Sequence, residues 1–363
     1  FVGDVWLASG QSNMAFRFKS ADDPDKESLF ADITDYNIRS YEVAKQVSGG
    51  KVLDKPDEPW APASRDNLGE WSAVAYYFAR GLYKHLSVPI GIINCSQGAS
   101  TVEAWMSSAS LETTSVSLKT FDGIERYYKN PSVLYDAMLS KVIPYTLKGV
   151  IWYQGESNTE DPDAYTKLLS QLINEWRTEW GQAELPFLFA QLPGFARKED
   201  KTGLSWALFR KAQETVARTV PDCGMVVLID AGEKEDIHPR NKKVVGERFV
   251  LAAKSVAYHE PVDYSGPVLD KVTYNGSSAN ISYHHAKKGL VLKGESLSGF
   301  AVCDQAGDWI PAPAKIKGKE VRVAHPEGKA ITGVRYAWAN APSVNLCNRN
   351  ELPAAPFLAL KEE

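Results

Sequence analysis

No stretch of the 363-residue sequence approaches the roughly 20 consecutive apolar residues of a membrane span, so no membrane span is expected. No basic block is present either. Lys and Arg number 41 against 45 Asp and Glu, and the resulting net charge of −4 argues against nucleic acid as a partner. The four cysteines, Cys95, Cys223, Cys303 and Cys347, are far apart and show none of the paired spacings of metal ligands. Cys95 falls in an apolar run and reads as a plain core thiol. No other set of metal ligands stands out, so no metal and no other cofactor is expected. No export signal is visible, the first residue lying almost inside the first apolar run. What the chain does have is aromatic: ten Trp and sixteen Tyr. Such rings stack on sugar faces and also fill cores, a mild pointer to carbohydrate.

The length suits one large α/β domain and a smaller one. Asp4 to Gly10 reads as a short buried strand closed by a turn glycine, and Asn37 to Val43 as a second strand. Between them Lys19 to Asp35 reads as loop, and 49–62 as an irregular excursion. Val74, Phe78 and Leu82 recur at helical spacing within Trp71 to Leu86, and Pro89 to Asn94 is the next strand. A helix is expected from about Ser132 to Ile143 and a strand from Gly149 to Tyr153. The clearest helix opens at Asp161-Pro162, carries its apolar stripe through Trp176 and stops at Gly181. Phe187 to Leu192, Trp206 to Thr219, Met225 to Ile229 and Asn241 to Ala257 complete an alternation of strand and helix. That alternation predicts a largely parallel sheet covered on both faces. From Val262 to Arg335 the grammar changes to short alternating strands broken by Gly, Asn-Gly and Pro, a small antiparallel β-module. The segment 336–363 is expected to return to the main domain.

Four short blocks stand where strands end. Gly10-Gln11-Ser12-Asn13-Met14 follows the first strand, Asn94-Cys95-Ser96-Gln97-Gly98-Ala99-Ser100 the third, and Trp152-Tyr153-Gln154-Gly155-Glu156-Ser157-Asn158 the fourth. Asp236-Ile237-His238-Pro239 supplies an acid and a histidine late in the chain. A serine after a buried strand is an ordinary helix N-cap as readily as a nucleophile. In this order the blocks resemble those of the SGNH hydrolases, in particular the sialate O-acetylesterase branch. Glu103-Ala104-Trp105, Leu134 to Met138 and Val334 to Asn340 extend the resemblance almost to the C-terminus.

The resemblance implies a doubly wound, flavodoxin-like parallel sheet over residues 1–260, with the β-module at 261–335. It implies a serine esterase acting on an O-acetylated sugar, sialic acid first, with acetylxylan or another acetyl-sugar as the alternative. A non-catalytic carbohydrate-binding protein is the reading from a different class. Ser12 is the expected nucleophile and His238 its base, the other five histidines lying at a helix end or in or near the β-module. Asp236 is the expected orienting acid, with Glu235 the competing choice. The oxyanion hole is expected from the N–H groups of Ser12 and Gly98 and a side-chain amide. The SGNH pattern has asparagine for that amide; here Gln154 lies closest to the strand end and is preferred, with Asn158 four residues on. Gly98 and Asn158 otherwise read as turn residues, and Glu156 as a support of its loop. Trp105 reads equally as a sugar-facing wall or as core. The four blocks hold no Lys or Arg, so an anionic sugar needs a cation from elsewhere; Arg210 is the candidate, although a solvated helix face is its simpler reading. Family members usually carry an export signal, which places the expected protein in an extracytoplasmic setting.

Overall fold

A computed structural model describes residues 2–31, 33, 37–47, 51–52, 57–123 and 126–361. The chain divides into two compact units. The first comprises Phe1–Ala190, Ala212–Val226 and His238–Glu260; the second comprises Gln191–Lys211, Val227–Ile237 and Pro261–Glu363.

Seven strands form the sheet of the first unit: β1 Asp4–Gly10, β2 Ile38–Glu42, β3 Glu58–Pro62, β4 Ile90–Ser96, β5 Gly149–Tyr153, β6 Phe187–Ala190 and β7 Cys223–Val226. Their order is β3-β2-β4-β1-β5-β6-β7, and every pairing is parallel except the edge pair β2–β3. The run β4-β1-β5-β6-β7 follows the flavodoxin order 2-1-3-4-5, and β2 and β3 extend the sheet beyond β4. β1 sits at the centre because it is buried along its last five residues and flanked on both sides. Gly10 is in register with Ser96 of β4 and with Tyr153 of β5. Three strands therefore end on one line, and the residues after them share one rim. Only glycine fits at position 10: φ is +130°, and a Cβ there would lie 2.2 Å from the Tyr153 carbonyl oxygen.

Register also shows that both faces are covered. Trp6 pairs with Gly149 while Ser9 pairs with Trp152, so Trp6 and Trp152 point to opposite sides. Trp6 meets Phe78 of helix α1 (Ala73–Leu86) edge-on at 5.0 Å. Trp152 meets Trp176 of α2 (Pro162–Glu179) at 5.6 Å. The helix boundaries follow from local chemistry. Ser72 accepts the Ala75 N–H at the start of α1, and Asp161 accepts that of Ala164 ahead of Pro162 in α2. Helix α3 is Ser205–Thr219, and α4 is Lys243–Val256.

Several boundaries differ from expectation. The helix expected over 132–143 is a single turn, Val133–Ala137, followed by a tighter turn at Leu139–Lys141. Within the expected loop at 19–35, Lys26–Ala31 is helical. The excursion at 49–62 lies partly outside the described residues, and its end is β3. β7 begins at Cys223 and stops at Val226, two residues earlier than expected at its start and three short of Ile229 at its end.

The second unit is antiparallel. One sheet orders Val268–Asn275, Ser278–His284, Glu320–Ala324 and Ala314–Lys317; another orders Trp309–Pro311, Phe300–Cys303, Gly333–Tyr336 and Phe357–Leu360. Alternation sets the buried side: Val321 and Val323 face Ile281 and Ala279 across the ladder, and all four are buried. The segment expected to return to the main domain pairs here instead. Leu346–Asn348 runs against Leu290–Leu292, and Phe357–Leu360 against Gly333–Tyr336. Residues 191–211 and 227–237 belong to this unit as well, so it is not confined to the positions beyond 260.

Candidate active site

The site is assembled from the turns beyond β1, β4 and β5. After β1 the Gln11 N–H donates to the Tyr153 carbonyl, and the Gln11 carbonyl accepts the N–H groups of Met14 and Ala15. This closes a tight turn with Ser12 and Asn13 at its tip. The Gln11 side chain accepts the N–H groups of Gly155 and Ser157, tying the first block to the third. The Gln97 N–H donates to the Gly10 carbonyl, tying in the second block. Ser12 is half-buried, and its Oγ lies 2.8 Å from His238 Nε2. With the ring proton on Nδ1, Nε2 accepts the serine O–H, which is the geometry a general base needs.

A Cβ placed on Gly98 would lie 3.7 Å from that of Ser12, so the second turn packs directly on the serine. Among the described residues, neither the Ser12 N–H nor the Gly98 N–H has a hydrogen-bond acceptor. Two backbone donors thus remain beside the hydroxyl, the arrangement that stabilises an oxyanion.

The third block differs in detail from expectation. Gln154 is 0% exposed, and its Nε2 donates to the Ser100 carbonyl and to Asn158 Oδ1, so both amide hydrogens are engaged. Asn158 is half-exposed; its Oδ1 also accepts the Val102 N–H, while Nδ2 donates once, to Glu103 Oε2. One N–H of Asn158 is left over. Glu103 is buried, and burial lifts its carboxyl above the usual range against the bond from Asn158.

Trp105 is core rather than a sugar-facing wall. It is fully buried, its Nε1 donates to Ser100 Oγ, and it meets Trp152 edge-on at 6.3 Å. Arg210 lies neither on a solvated face nor in a position to meet a ligand. It is 0% exposed in the second unit, donating to the carbonyls of Pro193, Ala339 and Asn340. Burial lowers its pKa to about 9. Asp236 and Glu235 are both exposed; the Asp236 N–H donates to the Glu233 carbonyl, and Glu235 lies 4.0 Å from Lys198.

A further group emerges only in three dimensions. Asn13 Nδ2 donates to Glu156 Oε1 at 2.5 Å, and Asn13 Oδ1 accepts from Lys242 Nζ at 2.5 Å. Lys242 is 0% exposed, with its ammonium over the rings of Phe16 (4.8 Å) and Tyr153 (5.5 Å). Burial raises the Glu156 carboxyl; Asn13 and Lys242 pull it back.

Comparison with known proteins gives this site a context. A family model for sialic acid-specific acetylesterases, a group of carbohydrate esterases, matches residues 2–253. The chain belongs to that family. Curated relatives include the sialate O-acetylesterases of Pongo abelii, 30% identical over 98% of this chain and 75% of the relative, and of Mus musculus, 28% identical over 98% and 77%. The solved structure of a carbohydrate acetylesterase from Xanthomonas citri superposes with a TM-score of 0.89 at 37% identity, covering 99% of this chain and 81% of that one. The family member described here is a carboxylic ester hydrolase of the carbohydrate esterase type. No described helix is long and apolar enough to cross a membrane, and no cluster of potential metal ligands occurs among the described residues.

In this acetylesterase, sequence reasoning overlooked Lys242 and assigned no role to Asn13. A signal was present: Lys242 and Lys243 stand at the N-terminus of α4, where the helix dipole disfavours cations.

Proposed function

We propose that this acetylesterase is a serine esterase with an SGNH-like catalytic unit, cleaving O-acetyl esters of sialic acid through an acetyl-serine intermediate. The observation that carries the reading is the 2.8 Å contact of Ser12 Oγ with His238 Nε2 on the rim shared by β1, β4 and β5. That rim is where open α/β sheets bind ligands.

Ser12 attacks the acetyl carbonyl carbon as His238 takes its proton. The resulting oxyanion is held by the N–H groups of Ser12 and Gly98 and by Asn158 Nδ2, with Gln154 orienting Asn158 through Oδ1. His238 then returns the proton to the departing sugar oxygen. Water, activated by the same imidazole, attacks the acetyl-serine and releases acetate. Asp236 is assigned to hold the far ring nitrogen and stabilise the imidazolium. The reaction as proposed draws on side chains and backbone alone. An extracytoplasmic setting fits an enzyme that trims glycans.

The sugar is the finer question. The family description and the relatives' names favour sialic acid. The burial of Arg210 leaves the cation expected for an anionic sugar unassigned, and this keeps acetylxylan and other neutral acetyl-sugars as the alternative. Acetate release from O-acetylated sialic acid and from acetylated xylan, each scaled to p-nitrophenyl acetate, separates them. We expect the higher kcat/KM on the sialate; a preference for xylan would overturn the sialate assignment and leave the esterase chemistry standing.

A further inference from the structure

We propose that Lys242 is a positioning residue of the esterase, the buried end of a Lys242–Asn13–Glu156 strut that sets Ser12 against His238. The inference rests on reading Ser12 and His238 as the reacting pair.

The strut ties the first and third blocks to the stretch just beyond the fourth. Asn13 directly follows Ser12, Glu156 lies in the turn after β5, and Lys242 is four residues beyond His238. Asn13 is fully buried and gripped at both ends of its amide, nitrogen to Glu156 and oxygen to Lys242. Its orientation is therefore dictated, and with it the path of the turn that carries Ser12. Lys242 in turn anchors the stretch carrying His238, held by Asn13 and by the faces of Phe16 and Tyr153.

Fold stability alone does not account for a lysine here. A buried ammonium costs several kcal/mol of desolvation, and this one stands at a helix N-terminus where the dipole opposes it. The neighbouring charges are committed elsewhere: Arg240 pairs with Asp22 at 3.2 Å, and Lys243 with Asp23 and Asp25. The phenol of Tyr153 is pushed far above its usual range by burial and offers no negative charge. Glu156 is the carboxylate that Lys242 offsets, and its Oε2 has no hydrogen-bond partner among the described residues. The pair is thus a balanced charge set behind the nucleophile, and unbalancing it in either direction reaches His238 through space.

The test is a charge-balance series measured with p-nitrophenyl acetate. Lys242→Met keeps the length and apolar fill of the stem but leaves a buried carboxylate uncompensated. We expect kcat to fall roughly 10²-fold, the scale of a small misplacement of reacting groups, with KM nearly constant. The acidic limb of the kcat/KM profile should move to higher pH, because losing a cation beside a remaining anion favours the imidazolium. Glu156→Gln should move that limb to lower pH. The double variant Lys242→Met/Glu156→Gln, neutral in both positions, should bring the limb back towards wild type and recover thermal stability relative to Lys242→Met. A lower Tm in all three variants, with wild-type kcat per folded molecule and an unmoved limb, would make the strut purely structural and overturn the proposal. Ser12→Ala is the control. If Ser12→Ala retains activity, the serine reading itself fails; if it is inactive while Lys242→Met keeps the wild-type rate and profile, only the strut fails.

Discussion

Among the described residues two cations are completely buried, and their surroundings differ. Arg210, in the second unit, gives its guanidinium to backbone carbonyls of Pro193, Ala339 and Asn340. Lys242, in the first, gives its ammonium to a side chain beside Ser12 and lies over two rings. Neutral carbonyls ask only that a donor be present, so Arg210 fixes the paths of two chain segments, at Pro193 and at Ala339-Asn340. A side-chain amide gripped between a cation and a carboxylate transmits charge and orientation to whatever adjoins it. Burial of a charge by itself says little about its role; the kind of partner says more.

The widest gap between the two regions should appear when each is struck directly. Ser12→Ala is expected to lower kcat by about 10⁶-fold with an unchanged Tm, because nucleophile and base act as a unit. Arg210→Met should do the reverse. It removes a shared donor from buried carbonyls, each worth about 1–3 kcal/mol when left unmade, so Tm falls while kcat per folded molecule holds. Thermal melts alongside initial rates read both, and a large kcat loss in well-folded Arg210→Met would erase the distinction.

The next largest effect tests the orienting acid. Asp236→Asn should lower kcat by roughly 10²- to 10⁴-fold, with Glu235→Gln close to wild type. Reversed severities hand the role to Glu235, and two mild variants mean that another group orients His238.

The smallest of these effects concerns the amide proposed for the oxyanion hole. Asn158→Ala should cost about 10²- to 10³-fold in kcat, the loss typical of one such donor, and Gln154→Ala less. A heavier loss at Gln154 would restore the residue nearest the strand end.

Much of the catalytic unit was legible in the chain. Strands buried on both faces of a parallel sheet read as unbroken apolar runs, and β1, β4 and β5 were found that way. Helix α2 announced itself through Asp161-Pro162 at its start and Gly181 at its end. The blocks were visible because each breaks a run at a small or polar residue. Other features depended on partners remote in sequence. Arg210 read as solvated because its accepting carbonyls lie as many as 130 positions away. Gln154 was favoured over Asn158 by nearness to the strand, yet the Ser100 carbonyl, from another block, takes one of its hydrogens. Trp105 was undecided because an aromatic beside a motif looks the same from the sequence whether it faces sugar or packs on Trp152.

By itself, then, the sequence determined where strands, helices and turns fall, while the resemblance of its four blocks implied which residues would meet. Periodicity and turn chemistry are local, and local rules hold before any long-range contact forms. Only the tertiary structure decided the strand order, the membership of residues 191–211 and 227–237 in the second unit, and the hydrogen-bond partner of each polar side chain. Those are outcomes of competition among groups that only the fold brings within 3 Å, and a linear pattern carries no measure of that distance.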